Sequence, residues 1–252
     1  MKGTILVTGA TSGFGEACAE KFAREGYHVI ITGRRQERLE TLKARLEKDF
    51  GVQVLTLQFD VRDKAATEQA IAALAGDWKN IDILVNNAGL ALALTPVDEG
   101  NTDDWDTMLD TNVKGLLYVS KAVIPLMKAR GKGHIINIGS TAAKTVYAKG
   151  NVYCASKSAV DALTQGMRID LLPYGIKVTA IHPGAAETEF SLVRFKGDQR
   201  KADDVYKGFE PLKGEDIADI VFYCSTLPKH VCINDLVVTP TAQANAYYIH
   251  KQ

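Results

Sequence analysis

The stretch TILVTGATSGFG, Thr4–Gly15, decides the fold. It begins with a short apolar segment, which predicts a buried strand, and runs through Gly9, Gly13 and Gly15 into a helical pattern. Glycines in such a turn let backbone amides approach a ligand, and the helix start offers unpaired N–H groups at the positive end of its dipole. A merely flexible turn is the alternative, but the strand–glycine–helix order favours a pyrophosphate site.

Beyond this unit, short apolar segments alternate with helical patterns. The predicted strands are Thr4–Thr8, His28–Thr32, Val54–Gln58, Ile81–Val85, His134–Ile138, Lys177–Ile181 and Asp235–Val238. The predicted helices are Gly15–Glu25, Glu37–Asp49, Ala65–Leu74, Asp104–Met127, Tyr153–Leu172 and Glu215–Ser225. This alternation predicts an α/β chain in which residues 1–252 form a single-domain Rossmann fold, with helices on both faces of a doubly wound, mostly parallel seven-stranded sheet. Such sheets bind ligands beyond the carboxyl ends of their strands.

Composition excludes several classes of function. The 252 residues carry 30 Lys and Arg against 30 Asp and Glu, which speaks against binding to nucleic acid or to an anionic membrane. The four cysteines form no C-x-x-C pair and no cluster with metal-ligand spacing, so we expect reduced thiols and no metal. The amino terminus lacks a signal-peptide pattern and no apolar run reaches 18 residues, so we expect a soluble cytoplasmic protein.

Two arginines indicate which dinucleotide the chain prefers. Proteins that bind NAD place an acidic residue about 20 positions beyond the glycine motif, whereas this chain has Arg34 and Arg35 there, after the second strand. A guanidinium group can pair with the 2′-phosphate of NADP through two parallel hydrogen bonds. Surface ion pairs at a solvated helix start are the alternative, but a cation is poorly placed at a helix amino terminus. We therefore expect NADP(H) as the cofactor.

The strongest chemical signal is the Y-x-x-x-K pattern of Tyr153 and Lys157, which follows Ser140 at the end of the fifth strand. In a helix, these two side chains lie one turn apart on the same face. A free tyrosine has a pKa of about 10. A nearby cation, the nicotinamide charge and hydrogen bonding are expected to lower the Tyr153 pKa and so make the residue a useful acid or base. Asn112 lies in a helical region, where its amide could open the helix locally and hold a water.

Together these motifs resemble the short-chain dehydrogenase/reductase family, through G-x-x-x-G-x-G, Asn86-Asn87-Ala88-Gly89, N-x-x-G at Asn112, Ser140, Y-x-x-x-K and P-G-x-x-x-T at Pro183. The resemblance implies that Tyr153 is the general acid or base and that Lys157 holds the nicotinamide ribose. Ser140 then contacts the substrate oxygen, and Asn112 anchors a water that relays protons. The cofactor-binding residues it implies are Gly9, Thr11, Ser12, Gly13, Phe14, Gly15, Arg34, Arg35, Asp60, Val61, Asn87, Ala88, Gly89, Tyr153, Lys157, Pro183, Gly184 and Thr188. Helix capping is the alternative role for Asp60, and a purely structural role is the alternative for Asn86.

Within the family, the segment TEFSLVRFKGD is similar to the NADP-dependent 3-hydroxy acid dehydrogenases. These enzymes oxidise serine, L-allo-threonine and related 3-hydroxy acids such as 3-hydroxypropionate, or reduce malonic semialdehyde. A lid is expected around residues 189–214, where Arg194 is our candidate for binding the substrate carboxylate and Lys196 and Lys207 are weaker ones. Tyr147 is expected to line the pocket or to belong to the core. The small pair Ala185-Ala186 departs from the larger apolar pair, such as Leu-Val, expected in the subgroup, which predicts a looser pocket near the nicotinamide.

Two alternatives share much of this pattern. A 3-oxoacyl-carrier-protein reductase has the same catalytic residues, but it must dock an acidic carrier and this chain shows no evident basic patch. A non-catalytic NADP-bound sensor would have lost Tyr153 or Lys157, and both are present. The family resemblance also implies a homotetramer built through the long helices and the last strand, with an aromatic tail around Tyr247 and Tyr248 that could contact a neighbouring subunit.

Overall fold

In the computed structural model, which describes residues 2–252, the strands form one sheet in the order β3-β2-β1-β4-β5-β6-β7. The strands are β1 Thr4–Val7, β2 His28–Gly33, β3 Val54–Gln58, β4 Ile81–Asn86, β5 Gly133–Ile138, β6 Ile176–Pro183 and β7 Asp235–Val238. All neighbouring strands are parallel, and all seven predicted strands are confirmed. The strand order reverses between β1 and β4, which places a ligand-binding crevice beyond their carboxyl ends.

Helices cover both faces of this sheet. They are α1 Gly13–Arg24, α2 Gln36–Phe50, α3 Lys64–Ala72, α4 Thr102–Leu109, α5 Leu116–Arg130, α6 Asn151–Leu171, α7 Glu189–Arg194, α8 Gln199–Asp204 and α9 Gly214–Thr226. Helices α1, α2 and α9 pack on one face, and α3, α5 and α6 pack on the other. The doubly wound α/β fold predicted from the sequence is therefore confirmed.

The inner strands of the sheet are mostly apolar because helices cover both of their faces. Along β1, Ile5 and Val7 pack into the cluster under α1 and α9, whereas Leu6 points into the cluster under α5 and α6. All three side chains are fully buried. Burying one such side chain contributes about 1.5–3 kcal/mol to folding, so these positions stabilise the sheet whose edge carries the loops.

Two regions differ from the sequence prediction. The predicted helix Asp104–Met127 is interrupted, because residues Asp110–Gly115 form a wider π-helical turn between α4 and α5. The segment expected as a long lid loop contains the two short helices α7 and α8. Thr188 begins α7 by accepting a hydrogen bond from the Phe190 backbone N–H at 3.2 Å. The segment 189–214 is therefore partly helical rather than an irregular loop.

Between residues 2 and 252, we find no helix with the length and apolar character required to cross a membrane. The cysteines are free thiols, and Cys18, Cys154 and Cys224 are buried. Burial raises the pKa of Cys18 to about 12 and that of Cys224 to about 11, so both thiols are protonated and unreactive at neutral pH.

Candidate active site

A cleft of about 430 Å³ lies at the carboxyl ends of the strands. The cofactor-contact residues expected from the sequence line it, with the exception of Gly15, and so do Ser140, Tyr147 and Arg194. Asn112 lies behind the cleft wall and is buried. The arrangement of strands thus brings together residues that are up to 185 positions apart in the chain.

The glycine loop forms the floor of the cleft at the start of α1. Gly9 and Gly13 have φ values of +66° and +55°, a left-handed conformation that favours glycine. A Cβ atom on Gly15 would lie 2.3 Å from the carbonyl oxygen of Gly9, so the helix can approach the strand only without a side chain here. Ser12 precedes α1 but makes no side-chain cap, which leaves the first N–H groups of the helix available to an anion.

The N-N-A-G segment is tied to this loop from the β4 side. The Asn87 amide donates to the carbonyl oxygens of Thr8 at 2.9 Å and Gly9 at 3.2 Å. Asn86 points away, donating to Ser120 Oγ at 2.9 Å and Asn137 Oδ1 at 2.8 Å in the interior. The structure thus favours the structural role for Asn86 that the sequence left open.

Arg34 and Arg35 lie at the rim beside the glycine loop but differ in their partners. Arg35 donates to Thr11 Oγ1 and Ser12 Oγ and forms an ion pair with Glu189 of α7 at 3.0 Å. Arg34 is mostly exposed, and Asp60 lies 3.9 Å from its guanidinium group. Arg34 therefore has more N–H donors available for a phosphate group than Arg35 has.

Asp60 does not cap a helix. The residue that begins α3 is Asp63, whose carboxylate accepts from the Ala66 N–H. Asp60 instead accepts hydrogen bonds from the Arg62 guanidinium at 3.1 Å or less. Burial raises the pKa of Asp60, but the hydrogen bonds and charge of Arg62 prevail and hold it below its usual range. The capping alternative considered for Asp60 is therefore wrong.

The π-helical turn presents Asn112 to the loop after β4. Asn112 donates to the Leu90 carbonyl oxygen at 2.8 Å and to Ser156 Oγ at 3.0 Å, and its Oδ1 accepts from the Leu90 N–H at 2.8 Å. Both amide protons are thus used within the protein, and only Oδ1 has capacity for a water. A Cβ on Gly115 would lie 2.7 Å from Val61 Cγ2, which explains the glycine in N-x-x-G.

Tyr153 and Lys157 lie one turn apart on α6 and are both buried, as the Y-x-x-x-K spacing predicts. Lys157 Nζ donates to the Ile138 carbonyl oxygen at 2.9 Å and lies 5.9 Å from the centre of the Tyr153 ring. Ser140, just beyond β5, lines the same cleft as Tyr153 and Lys157. The three side chains therefore meet at the end of β5.

The pKa values of this group differ from the sequence expectation. Burial raises the pKa of Tyr153, although the charge of Arg194 and the polar Ser140 side chain both act to lower it. Burial also lowers the pKa of Lys157 to about 8. In the protein alone, therefore, the lowered Tyr153 pKa expected from the sequence is not present.

Arg194 of α7 lies directly over the Tyr153 ring. Its guanidinium carbon is 5.2 Å from the centre of the Tyr153 ring and 5.0 Å from that of Phe190, and Nη2 donates to the Tyr147 hydroxyl at 2.9 Å. Among residues 2–252, no carboxylate forms an ion pair with Arg194, and its buried Nε makes no hydrogen bond. The cleft thus contains a positive charge without a protein counter-ion.

The weaker cation candidates lie elsewhere. Lys196 pairs with Asp104 at 2.8 Å, Lys207 pairs with Asp204, and neither lines the cleft. Sequence reasoning missed Glu189, which pairs with Arg35 and also with Arg38 at 2.6 Å. It also missed Gln243 from the tail, whose Oε1 accepts from the Ala185 N–H at 2.7 Å. No local sequence signal marks these contacts, because they join distant segments.

Comparison with known proteins gives consistent matches over nearly the whole chain. The short chain dehydrogenase family profile matches residues 3–198. The NADP-dependent 3-hydroxy acid dehydrogenase YdfG of Escherichia coli (strain K12) is 50% identical over 250 residues, covering 98% of this chain and 99% of that protein. The serine 3-dehydrogenase of Agrobacterium fabrum is 46% identical over 246 residues, covering 98% and 97%. The closed form of a serine dehydrogenase complexed with NADP+ superposes with a TM-score of 0.92 at 49% identity, covering 99% of this chain and 100% of that one.

Proposed function

The chain belongs to the short-chain dehydrogenase family, and on this basis we propose that it is an NADP-dependent oxidoreductase acting on the 3-hydroxyl or 3-oxo group of a small 3-hydroxy acid. The observation that carries the substrate class is Arg194, a guanidinium group over Tyr153 that has no ion-pair partner in residues 2–252. A substrate carboxylate would supply the missing counter-ion through paired hydrogen bonds. The relatives named above are NADP-dependent 3-hydroxy acid and serine dehydrogenases, which supports the same assignment.

The residues of the cleft suit NADP(H). The left-handed Gly9 and Gly13 and the uncapped start of α1 form a cradle for a pyrophosphate, with no side chain in the way. Arg34 would pair with the 2′-phosphate, while Arg35 holds the glycine loop against the lid. Asp60, Val61, Ala88, Gly89, Pro183, Gly184 and Thr188 line the remaining wall. The bound nicotinamide supplies the hydride-transfer chemistry, and the protein supplies binding and proton transfer.

Tyr153 is the group that moves the substrate proton. Its hydroxyl donates a proton to the substrate oxygen during reduction, and its phenolate oxygen accepts the proton of the substrate hydroxyl during oxidation, while Ser140 hydrogen-bonds the substrate oxygen. Lys157, held by the Ile138 carbonyl, positions the ribose and places a positive charge near Tyr153. Asn112 fixes the loop at Leu90, and its free Oδ1 lone pair is where it would hold the relay water.

Substrates of this site would carry a carboxylate two carbons from the reacting carbon. Serine, L-allo-threonine, 3-hydroxypropionate and malonic semialdehyde all have this spacing. Tyr147 and Phe190 flank Arg194 and form the apolar wall of the pocket, and the small pair Ala185-Ala186 lines it too. Because Ala185 and Ala186 are smaller than the apolar pair expected in the subgroup, the pocket would accept somewhat larger acids than serine.

A substrate panel tests this function. We expect NADP reduction with serine and 3-hydroxypropionate to proceed at least about tenfold faster than NAD reduction. Activity confined to 3-hydroxyacyl thioesters would favour a carrier-protein reductase instead. Binding of NADPH without turnover on any alcohol or carbonyl would favour a non-catalytic sensor.

Arg34→Ala tests the assignment of the cofactor phosphate. We expect the variant to raise the KM for NADPH about 10- to 100-fold, because it loses charge-assisted hydrogen bonds to the 2′-phosphate. The KM for NADH should stay unchanged. Arg24→Ala is the matched control, because Arg24 pairs with Glu20 at the other end of α1. Equal losses with both cofactors would contradict the assignment.

The homotetramer and the cytoplasmic location are further parts of the proposal. Ile169 and Leu172 at the end of α6 are each 74% exposed, which is high for large apolar side chains. Val237 on the edge strand β7 is also exposed. These residues lie in the elements through which the family resemblance implies assembly. The unpaired cysteines support a reducing compartment.

A further inference from the structure

A buried imidazole lies directly behind Ser140. His182, next to last in β6, is fully buried, and its Nδ1 lies 3.3 Å from the backbone nitrogen of Ser140 and 3.1 Å from its carbonyl oxygen. A Cβ atom on Gly139 would lie 2.4 Å from Nδ1, so the ring fits only because residue 139 is glycine. The imidazole therefore contacts the backbone of the residue that would orient the substrate.

The other ring nitrogen faces a cluster of charges drawn from three elements. His182 Nε2 lies 3.6 Å from Asp161 Oδ1 of α6 and 3.6 Å from Asp235 Oδ2 of β7. Lys144, in the turn after Ser140, lies between the carboxylates, 3.0 Å from Asp161 and 2.5 Å from Asp235. Within residues 2–252, neither Nε2 nor Asp161 Oδ1 has a hydrogen-bond partner.

This cluster is a charge network rather than a metal site. Asp161, His182 and Asp235 are close enough to hold a metal ion. Such an ion, however, would share the Asp235 carboxylate with the Lys144 ammonium group and would be repelled by it. The two carboxylates and the single ammonium leave one net negative charge beside Nε2.

That negative charge determines which ring nitrogen carries the proton. A lone pair on Nε2 would face two carboxylates, so the proton is favoured on Nε2. In this tautomer Nδ1 has the lone pair and accepts a hydrogen bond from the Ser140 N–H at 3.3 Å, and the Ser140 carbonyl oxygen at 3.1 Å is the acceptor that Nδ1 would use once protonated. Burial, and next the charge of Lys144, lower the pKa of His182, while Asp235, the Ser140 carbonyl and Asp161 act in the opposite direction. The ring is therefore neutral at neutral pH.

We propose that His182 is a positioning residue for Ser140, whose neutral ring accepts the Ser140 N–H and whose protonation reverses this hydrogen bond and displaces the serine. A protonated Nδ1 can only donate, so it would turn to the Ser140 carbonyl and repel the N–H. The inference rests on the proposed function, in which Ser140 contacts the substrate oxygen. Because Asp161 lies one turn beyond Lys157 on α6, the same network links the serine to the helix that bears Tyr153.

The pH profile of kcat/KM tests the proposal with two opposed variants. Lys144→Met removes a charge that opposes protonation of His182, so the acid limb should move to higher pH. Asp235→Asn removes a charge that favours protonation, so the limb should move to lower pH. Lys229→Met, an exposed lysine without an ion pair in residues 2–252, is the control and should leave the limb in place.

Replacements of His182 itself separate positioning from packing. His182→Asn offers a non-titrating acceptor to Ser140 and should keep kcat within about threefold while removing the His182 ionisation from the acid limb. His182→Leu has no acceptor and should lower kcat about 10- to 100-fold, since small displacements of reacting groups have effects of this size. Identical acid limbs in wild type, Lys144→Met, Asp235→Asn and His182→Asn would overturn the proposal.

A measurement without turnover keeps this test independent of the proposed function. The ¹H–¹⁵N signal of Ser140 should titrate with the same midpoint as the His182 ring carbon, and both midpoints should move in Lys144→Met. A Ser140 amide signal that does not respond to the ring would overturn the inference even if every substrate failed. Failure of the wild type on all substrates, with a coupled titration, would overturn only the proposed function.

Discussion

Tyr153→Phe is expected to lower kcat about 100- to 10,000-fold, the usual effect of losing a general acid or base. The hydroxyl is the group that would exchange a proton with the substrate, and Phe keeps the ring that packs against Phe190 at 5.7 Å. The fold and the binding of NADPH, followed by its fluorescence, should therefore survive. Stopped-flow measurement of NADPH formation separates the chemical step from product release.

A matched control for this variant is Tyr223→Phe. Tyr223 lies on α9, is 58% exposed, and is not part of the cleft. Tyr223→Phe should keep wild-type kcat and KM, which would show that loss of a tyrosine hydroxyl outside the cleft does not affect turnover. Full turnover by Tyr153→Phe would show that another group transfers the proton.

Arg194→Ala is expected to raise the KM for 3-hydroxypropionate about 10- to 100-fold, as the loss of charged hydrogen bonds worth roughly 1.5–3 kcal/mol implies. The methyl ester of the same substrate carries no carboxylate, and its KM should change little. This comparison corrects for the packing that Arg194 makes with Tyr153 and Phe190 and for its hydrogen bond to Tyr147.

Two further variants sharpen this test. Arg194→Lys keeps the charge but loses the paired donors, so its KM should lie between those of wild type and Arg194→Ala. Lys196→Ala removes another cation of the segment 189–214, one already paired with Asp104, and should have little effect. Equal losses for the acid and the ester would assign Arg194 to packing against Tyr153 and Phe190 instead of carboxylate binding.

The features that local sequence predicts are those governed by short-range physics. Strands such as β1 and β4 are mostly apolar because both of their faces are buried, and this produces a pattern that is visible within a short segment of sequence. The conformations of Gly9 and Gly13 also follow from the spacing of the loop. Tyr153 and Lys157 face the same way because four residues make about one helical turn.

The features that sequence could not predict depend on contacts between distant segments. Glu189 pairs with Arg35 from 154 positions away, and nothing near either residue marks the pair. The cluster behind Ser140 takes Lys144, Asp161 and Asp235 from separate elements. The direction in which the Tyr153 pKa shifts also depends on how deeply the ring is buried, and residue spacing does not encode that burial.

The π-helical turn at Asp110–Gly115 lets the consecutive helices α4 and α5 pack into two different apolar clusters. Met108, before the turn, packs with Tyr153 and Cys154 beside the cleft, whereas Leu116 and Val119, after it, pack against the sheet. Successive residues of an α-helix are rotated by about 100°, so one additional residue in the turn shifts the phase of the apolar stripe by that angle. Deleting a single residue here would restore a regular helix at the cost of one of these two contacts, which makes the length of this segment as constrained as its composition.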